Sequence, residues 1–348
     1  MNHPAELGFG EFFTPHMIVG HWSRTTGWRP FSLTAHESLS LAPSALALHY
    51  GQEIFEGLKA YSRNGGTAAS LFRPMRSAAR FNRSAARMSM PALPAEYFLA
   101  ACESLVRADM DHVPTIPGQS LYLRPYMIAQ EATISVRAAE EYLFGVIASP
   151  SGQFFSSGAE GISAWCPQEY VRAVAGGTGE AKCAGNYAAS LIAKEGAANR
   201  GCQEVLWLDA AEHKWVEELS AMNFFCVVRH ADGSAELVTP PLSGTILDGN
   251  TRDSILILAA RHGIRATERP VALAEILSEN SQIEEAFACG TAATVLSVTK
   301  VVAKDGCRQI GDGKPGEMAI RMRDELIGIQ EGRIADDFGW MHDVRHAG

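Results

Sequence analysis

Apolar residues recur along this chain with two periods, and the changes of period mark its elements. Residues 120–127 (S-L-Y-L-R-P-Y-M) and 142–148 (Y-L-F-G-V-I-A) are short, aromatic-rich apolar runs that predict strands. Residues 95–110 carry apolar side chains at helical spacing, and residues 75–90, rich in alanine and arginine, predict a helix with a basic face. In the second half, strands are expected at 162–165, 204–208, 224–229, 236–238, 283–287 and 294–302. Helices are expected at 188–195, about 250–261 and 316–330. Asn250 or Thr251 can cap the second of these helices, and Gly263 ends it. The run S-P-S-G-Q-F-F-S-S-G-A-E-G at 149–161 fits neither period and reads as a boundary between domains.

At 348 residues the chain exceeds what one core usually supports. Two α/β domains are therefore expected, an N-terminal one over 1–150 and a C-terminal one over 176–348, joined by a linker over 151–175. The hydrophobic fraction of 47% and charged fraction of 20% are those of an ordinary globular protein. A formal charge of −9 argues against nucleic acid or an anionic membrane as the main partner, yet leaves small anionic substrates open. Seven scattered cysteines with no C-x-x-C pair suit a reducing compartment. No signal-peptide pattern opens the chain and no apolar run reaches membrane-spanning length, so a cytoplasmic location is expected.

Several chemistries are excluded by spacing. G-G-T-G-E-A-K at 176–182 fails both the phosphate-loop and the dinucleotide fingerprints, and the eleven histidines give no H-E-x-x-H, so no metal site is expected. No G-x-S-x-G elbow is present. What remains is Lys182, set between the turn Gly176-Gly177-Thr178-Gly179 and the run Gly185-Asn186-Tyr187, in a chain with seven lysines and twenty-three arginines. A lysine held still and partly desolvated can condense with a carbonyl. Pyridoxal phosphate is the commonest partner for such a lysine, and it also needs an anion site, a carboxylate for its ring nitrogen and a donor near its phenolic oxygen. The helix start at Gly249-Asn250-Thr251 and the Gly290-Thr291 pair are candidate anion cradles. Glu217 or Glu218 can supply the carboxylate, and Tyr187 the donor.

The order of short motifs makes the chain recognisable: F-T-P-H-M at 13–17, A-L-H-Y at 47–50, F-E-G-L-K-A at 55–60, S-L-Y-L-R-P at 120–125 and S-P-S-G-Q-F-F-S-S-G at 149–158. Y-V-R-A at 170–173, G-G-T-G-x-x-K-x-x-G-N-Y at 176–187, C-Q-E-V-L-W-L at 202–208, E-E-L-x-x-M-N at 217–223 and G-T-A at 290–292 complete the series. Over nearly its whole length the chain resembles the branched-chain amino acid aminotransferases, the class IV, fold type IV group of pyridoxal-phosphate enzymes. That resemblance implies a smaller N-terminal α/β domain, a larger C-terminal domain with a pseudo-barrel of strands, and a homodimer. It implies reversible amino transfer between leucine, isoleucine or valine and 2-oxoglutarate.

Carried over residue by residue, the resemblance makes Lys182 the covalent anchor and the proton-transferring base. It pairs Glu218 with the ring nitrogen and sets Tyr187 beside the phenolic oxygen. Arg80, Asn250, Thr251 and Thr291 are assigned to the phosphate, and Tyr50, Phe55, Tyr122, Arg124, Tyr170 and Ala292 to the substrate pocket. Glu217 is expected to be a solvated neighbour, turned away from Glu218 by strand alternation. Lys59 is expected to be structural or exposed. Two departures stand out: Ser220-Ala221 replaces the usual Gly-Thr or Gly-Gly, and Ala293 and Leu296 occupy the C-x-x-C positions of some animal members. The rival readings are a D-amino acid aminotransferase or aminodeoxychorismate lyase of the same fold type, and a non-catalytic ligand-binding relative.

Overall fold

The apolar runs near residues 120 and 142 become the two longest strands of an antiparallel sheet. The computed structural model describes residues 7–152 and 161–345. Two compact units result. The first holds the chain up to residue 152 together with Ala181–Ala184 and the segment from Gly328 onward. The second holds residues 161–180 and 185–327.

The first unit contains β1 (His16–Ser23), β2 (Gly27–Trp28), β3 (Ser32–Ala35), β4 (Glu53–Phe55), β5 (Leu58–Arg63), β6 (Ala68–Phe72), β7 (Ser120–Ala129) and β8 (Glu141–Ser151). The sheet runs from the chain's last strand (Met341–Arg345) through β6, β5, β7, β8 and β1 to β2, with β3 on β1 and β4 on β7. Strand alternation sends Leu121, Leu123, Met127 and Ala129 of β7 into the core, which leaves Tyr122 and Arg124 to the opposite face. Helices α1 (Leu46–Tyr50), α2 (Pro74–Arg87) and α3 (Ala95–Ala108) belong to the same unit. The aromatic rings Phe81 of α2, Phe98 of α3 and Phe144 of β8 meet edge-on or tilted, with centroids 5.6 Å and 5.8 Å from Phe81 to the other two. Ala181 and Cys183 join this core, so the residues flanking Lys182 are fixed by apolar burial.

The second unit is built around β9 (Ile162–Cys166), β10 (Glu204–Leu208), β11 (Val216–Leu219), β12 (Met222–Arg229), β13 (Ala235–Thr239), β14 (Arg265–Glu268), β15 (Ile283–Gly290), β16 (Thr294–Ala303) and β17 (Gly306–Gln309). Strands β11, β10, β9, β16, β15 and β12 follow one another, and β11 pairs back with β12, which closes a six-stranded barrel. The expected pseudo-barrel is thus present. Its interior takes alternate residues, among them Ile162, Ala164 and Cys166 of β9, Leu206 and Leu208 of β10, and Phe224, Cys226 and Val228 of β12. The remaining helices are α4 (Ala184–Ala188), α5 (Leu191–Ala198), α6 (Asn250–Arg261), α7 (Leu273–Leu277) and α8 (Glu317–Glu331). No helix among the described residues is long and apolar enough to cross a membrane.

Three expectations are corrected. The 151–175 stretch is more than a linker, because Ile162–Cys166 is a barrel strand paired in parallel with β10 and β16; residues 153–160, the centre of the expected boundary, lie outside the described residues. The helix expected at 188–195 is broken between α4 and α5, where the Ser190 N–H and hydroxyl both donate to the Tyr187 carbonyl, at 3.0 Å and 2.7 Å. Neither Asn250 nor Thr251 caps α6; both are inside it, and Gly249 is the cap. A Cβ at Gly249 would overlap the Asn223 Oδ1, so packing selects glycine there. Phe81→Ala is expected to destabilise the protein by about 3–5 kcal/mol through the cavity it leaves. Chemical denaturation measures this, and an unchanged midpoint would contradict the packing described.

Candidate active site

Lys182 is held by backbone bonds before its amine comes into play. Its N–H donates to the Ser84 Oγ of α2 at 2.9 Å and its carbonyl accepts from the Phe55 N–H at 3.0 Å. The neighbouring Cys183 forms a β-bridge with Ile54. The segment therefore runs as a short partner of β4, and the Lys182 Nζ lies 4.8 Å from the centroid of the Phe55 ring. The Arg124 guanidinium also lies over that ring, at 4.6 Å, and donates from Nη2 to the Tyr122 hydroxyl at 3.1 Å. Lys182, Phe55, Tyr122 and Arg124 thus form one cluster of two cations and two aromatic rings. Tyr50 makes a different contact: it is 45% exposed, and its hydroxyl donates to the Ile134 carbonyl at 2.7 Å.

Arg80 lies one helical turn before Ser84 on α2 and is buried. Its Nε and Nη2 donate to the two oxygens of Glu56, at 2.6 Å and 2.8 Å, in a buried fork. Glu56 is not among the residues that the sequence singles out, although it stands inside the F-E-G-L-K-A motif. Lys59 of the same motif is buried, and burial pulls its amine down to about 8.

In the second unit Glu218 and Glu217 are both buried, which overturns the expectation of a solvated Glu217. The cause is a β-bulge. Leu206 and Leu208 of β10 pair with Leu219 and Val216, so β11 carries one extra residue between its two inward-facing side chains. Both carboxyls fall in that gap. Glu218 Oε1 accepts from Asn223 Nδ2 at 3.1 Å and from the Leu247 N–H at 2.9 Å, while Oε2 is 2.8 Å from the Arg172 Nε. Glu217 accepts a short hydrogen bond from the Thr245 hydroxyl. A cavity of about 520 Å³ adjoins it, walled by Val174, Trp215, Val216, Pro240, Pro241 and Ile246. Burial pushes the Glu217 carboxyl up, against the opposing effects of the Thr245 hydrogen bond and the Arg172 charge.

Thr178 and Asn186 exchange two hydrogen bonds, Oγ1 to Oδ1 at 2.7 Å and Nδ2 to the Thr178 carbonyl at 2.8 Å. These bonds tie the glycine turn to α4, where the half-buried Tyr187 sits. Tyr170 is half-buried against the Trp165–Trp207 cluster. Asn250 and Thr251 are buried in the first turn of α6, where helix geometry leaves N–H groups without an intrahelical acceptor. Thr291 and Ala292 form the half-buried turn after β15, whose Cys289 pairs with Asn223, so this turn and the Glu218 hairpin share one end of the barrel. The Ser220 departure also has a structural account. Its φ of 49° is left-handed, where glycine is the easy residue, and its hydroxyl accepts from the Val205 N–H at 3.0 Å.

A fold of this kind, with a lysine on a strand-like segment and a buried carboxylate at a barrel end, defines a class. Residues 53–301 match the family model described as amino-transferase class IV, and the chain belongs to that family. It is 48% identical to a probable branched-chain-amino-acid aminotransferase of Streptomyces coelicolor, over 98% of this chain and 93% of the relative. The branched-chain amino acid aminotransferase of Escherichia coli superposes with a TM-score of 0.79 at 25% identity, covering 95% of this chain and all of the other. The T.th. branched-chain amino acid aminotransferase, solved with N-(5'-phosphopyridoxyl)-L-glutamate, superposes at 0.73 with 27% identity, covering 92% and 97%.

The folded-state pKa of Glu217 lies above its unfolded value. Its contribution to stability is therefore complete below the ordinary carboxylate range and is lost as pH rises through the folded value. Glu217→Gln is expected to melt above the parent protein at about pH 8, with the gap closing towards about pH 4. Thermal melts across that range test it; a gap independent of pH would remove the charge from the explanation.

Proposed function

We propose that this aminotransferase transfers the amino group of L-leucine, L-isoleucine or L-valine to 2-oxoglutarate, reversibly, using pyridoxal phosphate, and that it works as a cytoplasmic homodimer. The observation that carries the reading is the Lys182–Phe55–Tyr122–Arg124 cluster, in a chain similar over nearly its full length to branched-chain-amino-acid aminotransferases. The two aromatic rings suit a branched aliphatic side chain. The Arg124 guanidinium suits the distal carboxylate of glutamate or 2-oxoglutarate. One pocket thereby accepts both substrates in turn. Free thiols at all seven cysteines support the reducing compartment.

The residues fit the cofactor. The α6 start supplies backbone donors, and Arg80, Asn250, Thr251 and Thr291 are proposed to hold the phosphate. Glu218 is a dry, fixed carboxylate suited to a ring N–H. Bound there, the cofactor supplies an electron sink for the substrate's α-carbon. Lys182 would hold it there, and its Nζ amine would take the α-proton of the bound substrate. Tyr187 would donate to the phenolic oxygen, and Tyr170 and Ala292 would complete the substrate wall, with Tyr50 at its margin.

Lys182→Ala is expected to lose the visible absorbance of bound cofactor and to slow amino transfer by about 10⁴-fold, with the circular dichroism spectrum retained. Normal transfer by that variant would refute the assignment. Glu218→Gln should keep cofactor and lose about 10²-fold in rate. A donor panel separates the rival readings, since activity with D-alanine or aminodeoxychorismate and none with L-leucine would replace the branched-chain assignment.

A further inference from the structure

Arg172, in the Y-V-R-A run, has no cofactor or substrate role in the reading above, yet three segments that carry such roles converge on it. Its side chain is 8% exposed and that of Glu218 is 3% exposed. The Nε lies 2.8 Å from the Glu218 Oε2, but its N–H is not aligned on that oxygen, so the contact is an ion pair without a directional hydrogen bond. The Nη2 donates to the Gly179 carbonyl at 3.0 Å and, through a short contact, to the Thr245 carbonyl. Gly179 is the last residue of the glycine turn before Lys182, and Thr245 lies in the loop that leads into Asn250 and Thr251. A Cβ at Gly179 would overlap the Thr245 carbonyl oxygen, so the turn and the loop touch only because that residue is glycine.

We propose that Arg172 is a positioning residue for the transamination. It holds in place the Glu218 carboxylate that would pair with the ring nitrogen, and locks the phosphate-side loop and the glycine turn to it. The inference rests on the cofactor reading of Glu218, Asn250 and Thr251. The physical case is that a buried carboxylate with no countercharge is strongly disfavoured. The same countercharge here also spans two backbone carbonyls. Only a planar fork does this: a lysine ammonium can balance Glu218, but it cannot point at both carbonyls while doing so. The second carboxyl facing Arg172 is Glu217, which reaches the same loop through the Thr245 hydroxyl. The loop at 245–247 is therefore gripped by Arg172 at a carbonyl, by Glu217 at a hydroxyl and by Glu218 at an N–H.

The test compares Arg172→Met, Arg172→Lys and Glu218→Gln. In the cofactor-free protein, deuterium uptake over residues 243–249 should rise in both Arg172 variants. In the cofactor-loaded protein, Arg172→Met should lower kcat for leucine at least about tenfold with KM changed less than about threefold, and should move the pH midpoint of the cofactor's visible band. Arg172→Lys should restore the pH midpoint and leave the loop unprotected. Arg172→Met combined with Glu218→Gln should lose less than the product of the two single losses, because the arginine acts in part through that carboxylate. Wild-type kcat, midpoint and uptake in Arg172→Met would overturn the proposal, as would losses that multiply in the double variant. If the methionine variant does not fold, Arg172→Lys decides: an unprotected loop with a retained midpoint supports the proposal, and wild-type uptake overturns it. A parent protein with no visible band and no transfer from leucine would instead sink the cofactor reading, whatever the Arg172 variants do.

Discussion

The burial of the Glu218 carboxylate is the constraint that organises the barrel end. A carboxyl at 2% exposure is tolerable only if both oxygens are compensated. Here the compensation comes from three separate places in the chain: Asn223 on the next strand, the Leu247 N–H in the loop before α6, and Arg172 ahead of the glycine turn. Each partner then acquires its own requirement. Asn223 also donates to the Leu247 carbonyl at 2.8 Å and crowds residue 249, which must be glycine. The start of α6 is therefore positioned as a consequence of neutralising one side chain.

A comparable sharing of parts governs the first unit. Lys182 is placed by its backbone, through Ser84 and Phe55, so its amine is not required to form the bonds that locate it. Ser84 and Arg80 share a face of α2, four residues apart, so the helix that fixes the lysine segment also presents the buried guanidinium. Glu56 fixes that guanidinium from two residues away from Ile54, the bridge partner of Cys183. A 14-residue helix and one short strand therefore set the positions of two groups with quite different assigned tasks.

Much of this is legible in the sequence, and the failures have physical causes. Period-two and period-3.6 runs locate most strands and helices of the second unit within a few residues, because each has one buried face. The six-stranded closure is not readable from pattern and enters only through family resemblance, since β11–β12 pairing is non-periodic information. The reading of Glu217 fails because alternation assumes an unbroken ladder, and the bulge opposite Leu206 and Leu208 violates it. Glu56 and Arg172 escape notice although both lie in recognised motifs. A charged residue in a motif reads as an ion-pair partner or a site residue with equal ease until its burial is known.

The adjacent carboxyls Glu217 and Glu218 show why the bulge is worth its disruption of the ladder. One has two N–H donors and a guanidinium at 2.8 Å, while the other has one hydroxyl donor, the charge of the same guanidinium and an apolar cavity wall. With regular alternation, one of the two would have pointed into the barrel interior among Leu206, Leu208 and Leu219, where no donor could meet it. The extra residue keeps both out of that interior and lets their surroundings differ. It thereby gives one carboxyl a fixed electrostatic task and leaves the other to hold the loop through Thr245. Environments that separate two like groups are how a site assigns them different work, and here the separation is achieved by one inserted residue in a four-residue strand.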